Sequence, residues 1–147
     1  MFQWKRLSAV STFRYSAAMI ETTDTLPSVP AVIYHLCRAE EWAAAVVAGT
    51  YYGSSQDVAD GFIHCSTAAQ IRESAARHRA GQAGLVLLAV ATAPLGAGLR
   101  WEPARNGQLF PHIYGPLPLA AVQAVTPLPV QADGRHRFPP LHDLDMP

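Results

Sequence analysis

Seven apolar residues stand in unbroken succession from Leu85 to Ala91, ended by Thr92 and Pro94. The run is too short for a buried helix and far too short to cross a bilayer, so it reads as a central strand. A strand of that kind needs a sizeable core around it. The chain can supply one: of 147 residues half are hydrophobic and only 15% are charged, which fits a single globular domain and excludes disorder of the whole chain.

Short elements alternate around this strand. Ala31 to Leu36 is expected to be extended, with Ile33, Tyr34 and Leu36 favouring a strand. Ala39 to Ala48 reads as a helix, with Glu40 and Glu41 in its first turn and Gly49 as its stop. Tyr51-Tyr52 begins a short extended piece, Gly53 to Gly61 reads as a polar loop, and Phe62 to Cys65 as a second strand. Thr67 and Gln70 match a capping box that opens a helix running from Ala68 to Ala80. Leu99 to Glu102 and Pro111 to Tyr114 are strands on either side of a turn at Asn106-Gly107, and Leu119 to Thr126 closes the domain. Helices early and strands late predict an α+β fold, not a doubly wound sheet.

The folded domain is expected over residues 31–130. Residues 1–20 carry Lys5, Arg6 and Arg14 and no acidic residue, a composition faintly like an organelle-targeting segment. With the Thr- and Pro-rich residues that follow, 1–30 reads as an extension without a fold of its own, in which Met19 is an alternative start. Residues 131–147, with Pro139-Pro140 and Pro147, read as a loosely ordered tail. Lys and Arg total 11, as do Asp and Glu, so no global basic field points to nucleic acid. Two cysteines, Cys37 and Cys65, with no secretory signal fit the reducing cytoplasm better than a disulfide scaffold. No membrane partner is expected.

Three histidines fall on short apolar strands: His35, His64 and His112. His64 lies in Asp60-Gly61-Phe62-Ile63-His64-Cys65-Ser66-Thr67, where a strand runs into a helix N-terminus, a common place to grip a ligand. Alternation puts His64 and Ser66 on one face and turns Cys65 to the core. A lone histidine of this kind is as often a core residue as a site residue; three together suggest one site assembled from distant parts of the chain. Metal binding by His35, Cys37, His64, Cys65 and His112 fits the ligand types but not the spacing, and no metal is expected. Cys65 as a nucleophile competes with the commoner small buried thiol. Glu102, at a strand end, could stabilise developing positive charge or form a rim ion pair. Arg72 with Ser66-Thr67 could hold a phosphate, and Tyr114 could wall a flat ring or join the core. Trp42 and Trp101 read as core anchors.

Tyr34-His35, the Asp60–Thr67 segment, Trp101-Glu102 and Phe110-Pro111-His112-Ile113-Tyr114-Gly115-Pro116-Leu117 together resemble the DUF952 family, small bacterial proteins of undetermined function, over about residues 31–128. The resemblance extends to the ADP-ribosyltransferase fold: two small antiparallel sheets around a cleft, with helices outside. Within it the chain is similar to the RNA 2′-phosphotransferase pattern, matching Tyr34-His35 in the first motif, without its Gly-Thr, and Ile63-His64-Cys65-Ser66 in the second.

The resemblance implies that His35 holds an NAD ribose with Tyr34, Ser66 and Tyr114 nearby, that His64 acts beside the nicotinamide ribose, and that Glu102 or His112 is the third catalytic residue. The chemistry implied is attack at the nicotinamide-ribose C1′ of NAD or an ADP-ribose-type ligand. A non-catalytic nucleotide-binding module that keeps the cleft is the alternative, and the missing Gly-Thr favours it.

Overall fold

The computed structural model describes residues 29–142; most of the expected extension and the last five residues of the expected tail lie outside the described residues. The order is β1 (Val32–Arg38), α1 (Ala39–Ala48), α2 (Ser55–Asp60), β2 (Ile63–His64), α3 (Ala68–His78), β3 (Leu85–Ala91), β4 (Leu99–Pro103), β5 (Leu109–Ile113) and β6 (Val122–Leu128). The strands make two open three-stranded antiparallel sheets, ordered β1-β3-β6 and β2-β5-β4. The fold is α+β, and no described helix is long and apolar enough to cross a membrane.

β3 is the middle strand of its sheet, and both of its faces are covered. Val86, Leu88 and Val90 pack with Ile33, Cys37, Ala45, Ile63 and Ile113 in one core. Leu85 and Leu87 pack with Val32, Tyr34, Ile71, Leu128 and Leu141 in a second. That double burial is why β3 shows no polar alternation. The β2-β5-β4 sheet is different: Ile63, Ile113, Leu99 and Trp101 turn to the first core, while the intervening positions His64, His112, Arg100 and Glu102 share the other face. Backbone hydrogen bonds tie the two sheets together. Tyr34 and Ser66 exchange backbone hydrogen bonds of 2.8 Å in each direction, so the β1 edge is stitched to the segment leaving β2.

Local signals explain most boundaries. Gly49 closes α1 in the left-handed region, at φ 83°. Gln70 Oε1 accepts from the Thr67 N–H at 3.0 Å, the predicted capping box. Two expectations are corrected. The stretch 53–61 is not a plain loop but contains α2, a six-residue helix with too few apolar residues to show a period. Its signal is Ser54 followed three residues later by Asp57.

The tail after β6 is anchored up to residue 142. His136 is buried, with its Nε2 at 2.7 Å from the Gln82 carbonyl, and Leu141 is fully buried. The Tyr34 hydroxyl accepts from the His142 N–H at 2.6 Å. Pro139-Pro140 makes this segment look loose, yet the prolines merely hold the chain extended while Phe138 and Leu141 insert beside them.

Leu141→Ala should lower the unfolding free energy by about 2–5 kcal/mol, as for other fully buried leucines. Val125→Ala, on the outer strand, should stay within about 0.5 kcal/mol. Denaturant titration of both variants checks that the tail is a structural part of the domain.

Candidate active site

The side chains meet at a cleft of about 770 Å³ between α2, the end of β2, α3 and the β4–β5 turn. Of the residues expected to form a site, Tyr34, His35, His64, Ser66 and His112 border it. Glu102 and Tyr114 do not; they join it through His112. Arg72, expected near a phosphate, lies instead over the Phe138 ring at 5.7 Å.

The frame of the site is Asp57, in the first turn of α2 and almost wholly buried. Its Oδ2 accepts from the Ser54 N–H at 2.8 Å, closing the cap of α2. Its Oδ1 accepts from the His64 N–H at 3.1 Å and from His64 Nδ1 at 2.6 Å. Burial alone would raise this carboxyl, but the His64 hydrogen bond, the nearby His35 and the two backbone donors outweigh it, and the group is held below the usual carboxylate range. Gly53 makes room for it. Its φ is +105°, and a Cβ there would stand 2.5 Å from the Asp57 Cβ.

His35 is locked behind this carboxylate. Its Nδ1 lies 2.7 Å from the His64 carbonyl, which can only accept, so Nδ1 carries the proton. Its Nε2 then accepts from the Tyr51 hydroxyl at 2.6 Å, with Asp57 Oδ2 at 3.6 Å. Burial pushes the His35 value down, against the raising influence of Asp57 and the His64 carbonyl. Both ring nitrogens are thus taken by the protein, which leaves neither for a ribose. The Tyr34 hydroxyl is likewise engaged, by His142. Ser66 Oγ pairs with Ser74 Oγ at 3.0 Å.

The two remaining histidines are presented differently. His64 and His112 are directly opposed across β2 and β5, with ring centroids 5.5 Å apart. Each gives its Nδ1 to a carboxylate: His64 to Asp57, and His112 to Glu102 Oε1 at 2.7 Å. Tyr114 donates its hydroxyl to the same Glu102, at 2.8 Å to Oε1. Its partners His112 and Tyr114 hold Glu102 below the usual carboxylate range and, reciprocally, Glu102 raises the Tyr114 phenol. Phe62 packs on both imidazoles, 4.2 Å from the His112 ring and 4.5 Å from that of His64. A neutral His112 keeps Nε2 as its base, whereas His64 Nε2 stands 3.3 Å from Asp60 Oδ2, an oxygen that can only accept, so the His64 ring lies between two carboxylates. Glu102 and His112, the alternatives for a third site residue, are hydrogen-bonded to each other, and of the two only His112 borders the cleft.

The thiols are not set up as nucleophiles. Burial raises Cys65 well above its ordinary value and pushes Cys37 up to about 11. Among the described residues no group of three or more His, Cys, Asp or Glu side chains is arranged to hold a metal ion. Asp57 and Arg105, which border the cleft, and Tyr51, which holds His35 behind it, are residues that sequence reasoning missed; Asp60 lies in the Asp60–Thr67 segment but had no role assigned. Of these, only Asp57 carries a local signal, the Ser54-x-x-Asp57 cap.

A histidine with a depressed folded value binds fewer protons in the native state than in the unfolded one. Stability therefore rises with pH up to about 6.5 and is lost on acidification below it. Asp57 acts lower: its contribution is full above about pH 3.9 and is lost as pH falls through its depressed value. Unfolding free energy measured in denaturant should fall between about pH 7 and pH 5, and His35→Gln, less stable at pH 7, should show a shallower slope. An unchanged slope would remove His35 as the titrating group.

The family described as "Protein of unknown function (DUF952)" matches residues 36–125. The crystal structure of protein CC0527 from Caulobacter crescentus is 46% identical, with a TM-score of 0.70 over 72% of this chain and 93% of that one. Its solution NMR structure is 46% identical, with a TM-score of 0.65 over 72% and 91%. No curated protein matches the chain.

Proposed function

The chain belongs to the DUF952 family, and we propose that its cleft is an enzyme site for a nucleotide ligand of the NAD or ADP-ribose type, acting at the nicotinamide-ribose C1′. The observation that supports this most is the pair His64 and His112, in cross-strand register, each with Nδ1 on a carboxylate, with Nε2 of His112 left as base and Nε2 of His64 beside Asp60. A histidine oriented in this way is ready for proton transfer without reorganisation.

In the proposed reaction the C1′–N bond breaks and its electron pair leaves with nicotinamide. Positive charge grows on the ribose, and the Asp60 and Asp57 carboxylates lie on the wall where it would be stabilised. The acceptor oxygen bonds to C1′, and its proton passes to Nε2 of His112. Glu102 and Asp57 are positioning residues: they fix the tautomer and aim of the two rings. His35 serves as a post that holds the His64 backbone.

A second reading, a binding module without turnover, is favoured by one observation. His35, to which the resemblance gives a ribose, has both nitrogens occupied by protein groups.

Thermal melting with NAD and with ADP-ribose, followed by an assay of nicotinamide release, separates the readings. For an enzyme, His64→Ala and His112→Ala each lower kcat by about 10²–10⁴, and Glu102→Gln loses less because His112 remains. A melting shift without release selects the binding module. If neither ligand shifts the melting temperature, the nucleotide site is wrong.

A further inference from the structure

The tight turn between β4 and β5 carries Arg105 to the edge of the cleft. The hairpin is closed by Ala104 N–H to the Gln108 carbonyl at 2.9 Å, and Asn106 takes a left-handed φ of 58°. This throws the half-buried Arg105 against α3. Its guanidinium lies over the Phe110 ring, 4.9 Å from the centroid. Nη2 donates to Ser74 Oγ at 3.3 Å, and Nη1 stands 3.3 Å from His78 Nε2. Ser74 in turn pairs with Ser66, which is stitched to β1. The cation is therefore fixed from several sides.

Every one of those contacts is uncharged. Among the described residues no carboxylate pairs with Arg105, nor with Arg79, which also borders the cleft and donates to Gln82 Oε1 at 2.9 Å. His78 cannot take the place of an anion: burial and then Arg105 both push its value down, against the charged form. A guanidinium held over an aromatic ring at the border of a cleft, with five donors and no carboxylate partner, is an arrangement that oxyanions are bound by.

We propose that Arg105, supported by Ser74 and flanked by Arg79, seats a phosphate group of the ligand. The seat is close to His112. Phe110, under the guanidinium, and His112 are two residues apart on one face of β5, about 7 Å. A phosphate held at Arg105 would leave the next part of the ligand against Nε2 of His112. Arg105 thereby selects for a phosphorylated ligand and sets how far it reaches. This deepens the nucleotide reading of the cleft and rests on it for the remainder of the ligand; the seat itself rests on Arg105.

The test is an NMR titration of the full chain with inorganic phosphate at constant ionic strength, following the Arg105, Ser74 and His78 side chains. Saturable shifts at all three are expected. Arg105→Gln should weaken phosphate binding at least tenfold, and Arg105→Lys, which keeps the charge but loses the fork, by an intermediate factor. Ser74→Ala, a milder change beside the same group, should weaken it severalfold. Unmoved signals at millimolar phosphate, or equal binding by a folded Arg105→Gln, overturn the proposal. A parallel titration with nicotinamide riboside, which has no phosphate, reports on His64 and His112 instead. Shifts there without phosphate binding reject the seat and keep the nucleotide reading; phosphate binding without those shifts does the reverse.

Discussion

One buried carboxylate organises the site. Asp57 closes the cap of α2 with one oxygen and holds both the backbone and the ring of His64 with the other. Removing it would strand three donors at once, each a cost of about 1–3 kcal/mol where buried. His35 and Tyr51 continue the network inward, so that from Ser54 to Tyr51 the polar groups satisfy one another inside an apolar shell. Such networks are valuable only when complete. Gly53 is the corollary in the backbone, kept free of a Cβ so that the carboxylate can lie against it.

The two sheets contribute unequal things. The β1-β3-β6 sheet is a wall with apolar material on both sides, and its role in the cleft is to hold His35 still. The β2-β5-β4 sheet has one dry face and one polar face, and the polar face carries His64, His112 and Glu102. The open side of the molecule's chemistry is therefore borne by its shortest strand and a hairpin, while rigidity comes from elsewhere. That division matches the general habit of placing reactive groups at strand ends and turns over a fixed scaffold.

Sequence patterns made most of the scaffold legible. The apolar run of β3, the Gly49 stop and the Thr67–Gln70 cap each carry a local physical cause, and each lies where expected. The histidines were legible as a group because three of them interrupt apolar strands. What stayed hidden was long-range. Nothing local to His35 tells that Tyr51, 16 residues on, would claim its Nε2. Nothing local to Arg105 tells that a turn would lean it on α3. The α2 helix was hidden for another reason: six residues cannot display a helical period, and only its cap betrays it.

β2 is two residues long, and its pairing sets His64 against His112. A strand that brief has no redundancy. Because side chains alternate with a period of two, a slip of a single residue would put Ile63 in the cleft and bury His64 in the core. The placement of the two histidines is thus decided by counting along the backbone, not by the shape of the rings. An insertion or deletion that shifted this pairing by one residue would turn His64 away from His112 while leaving every side chain chemically unchanged.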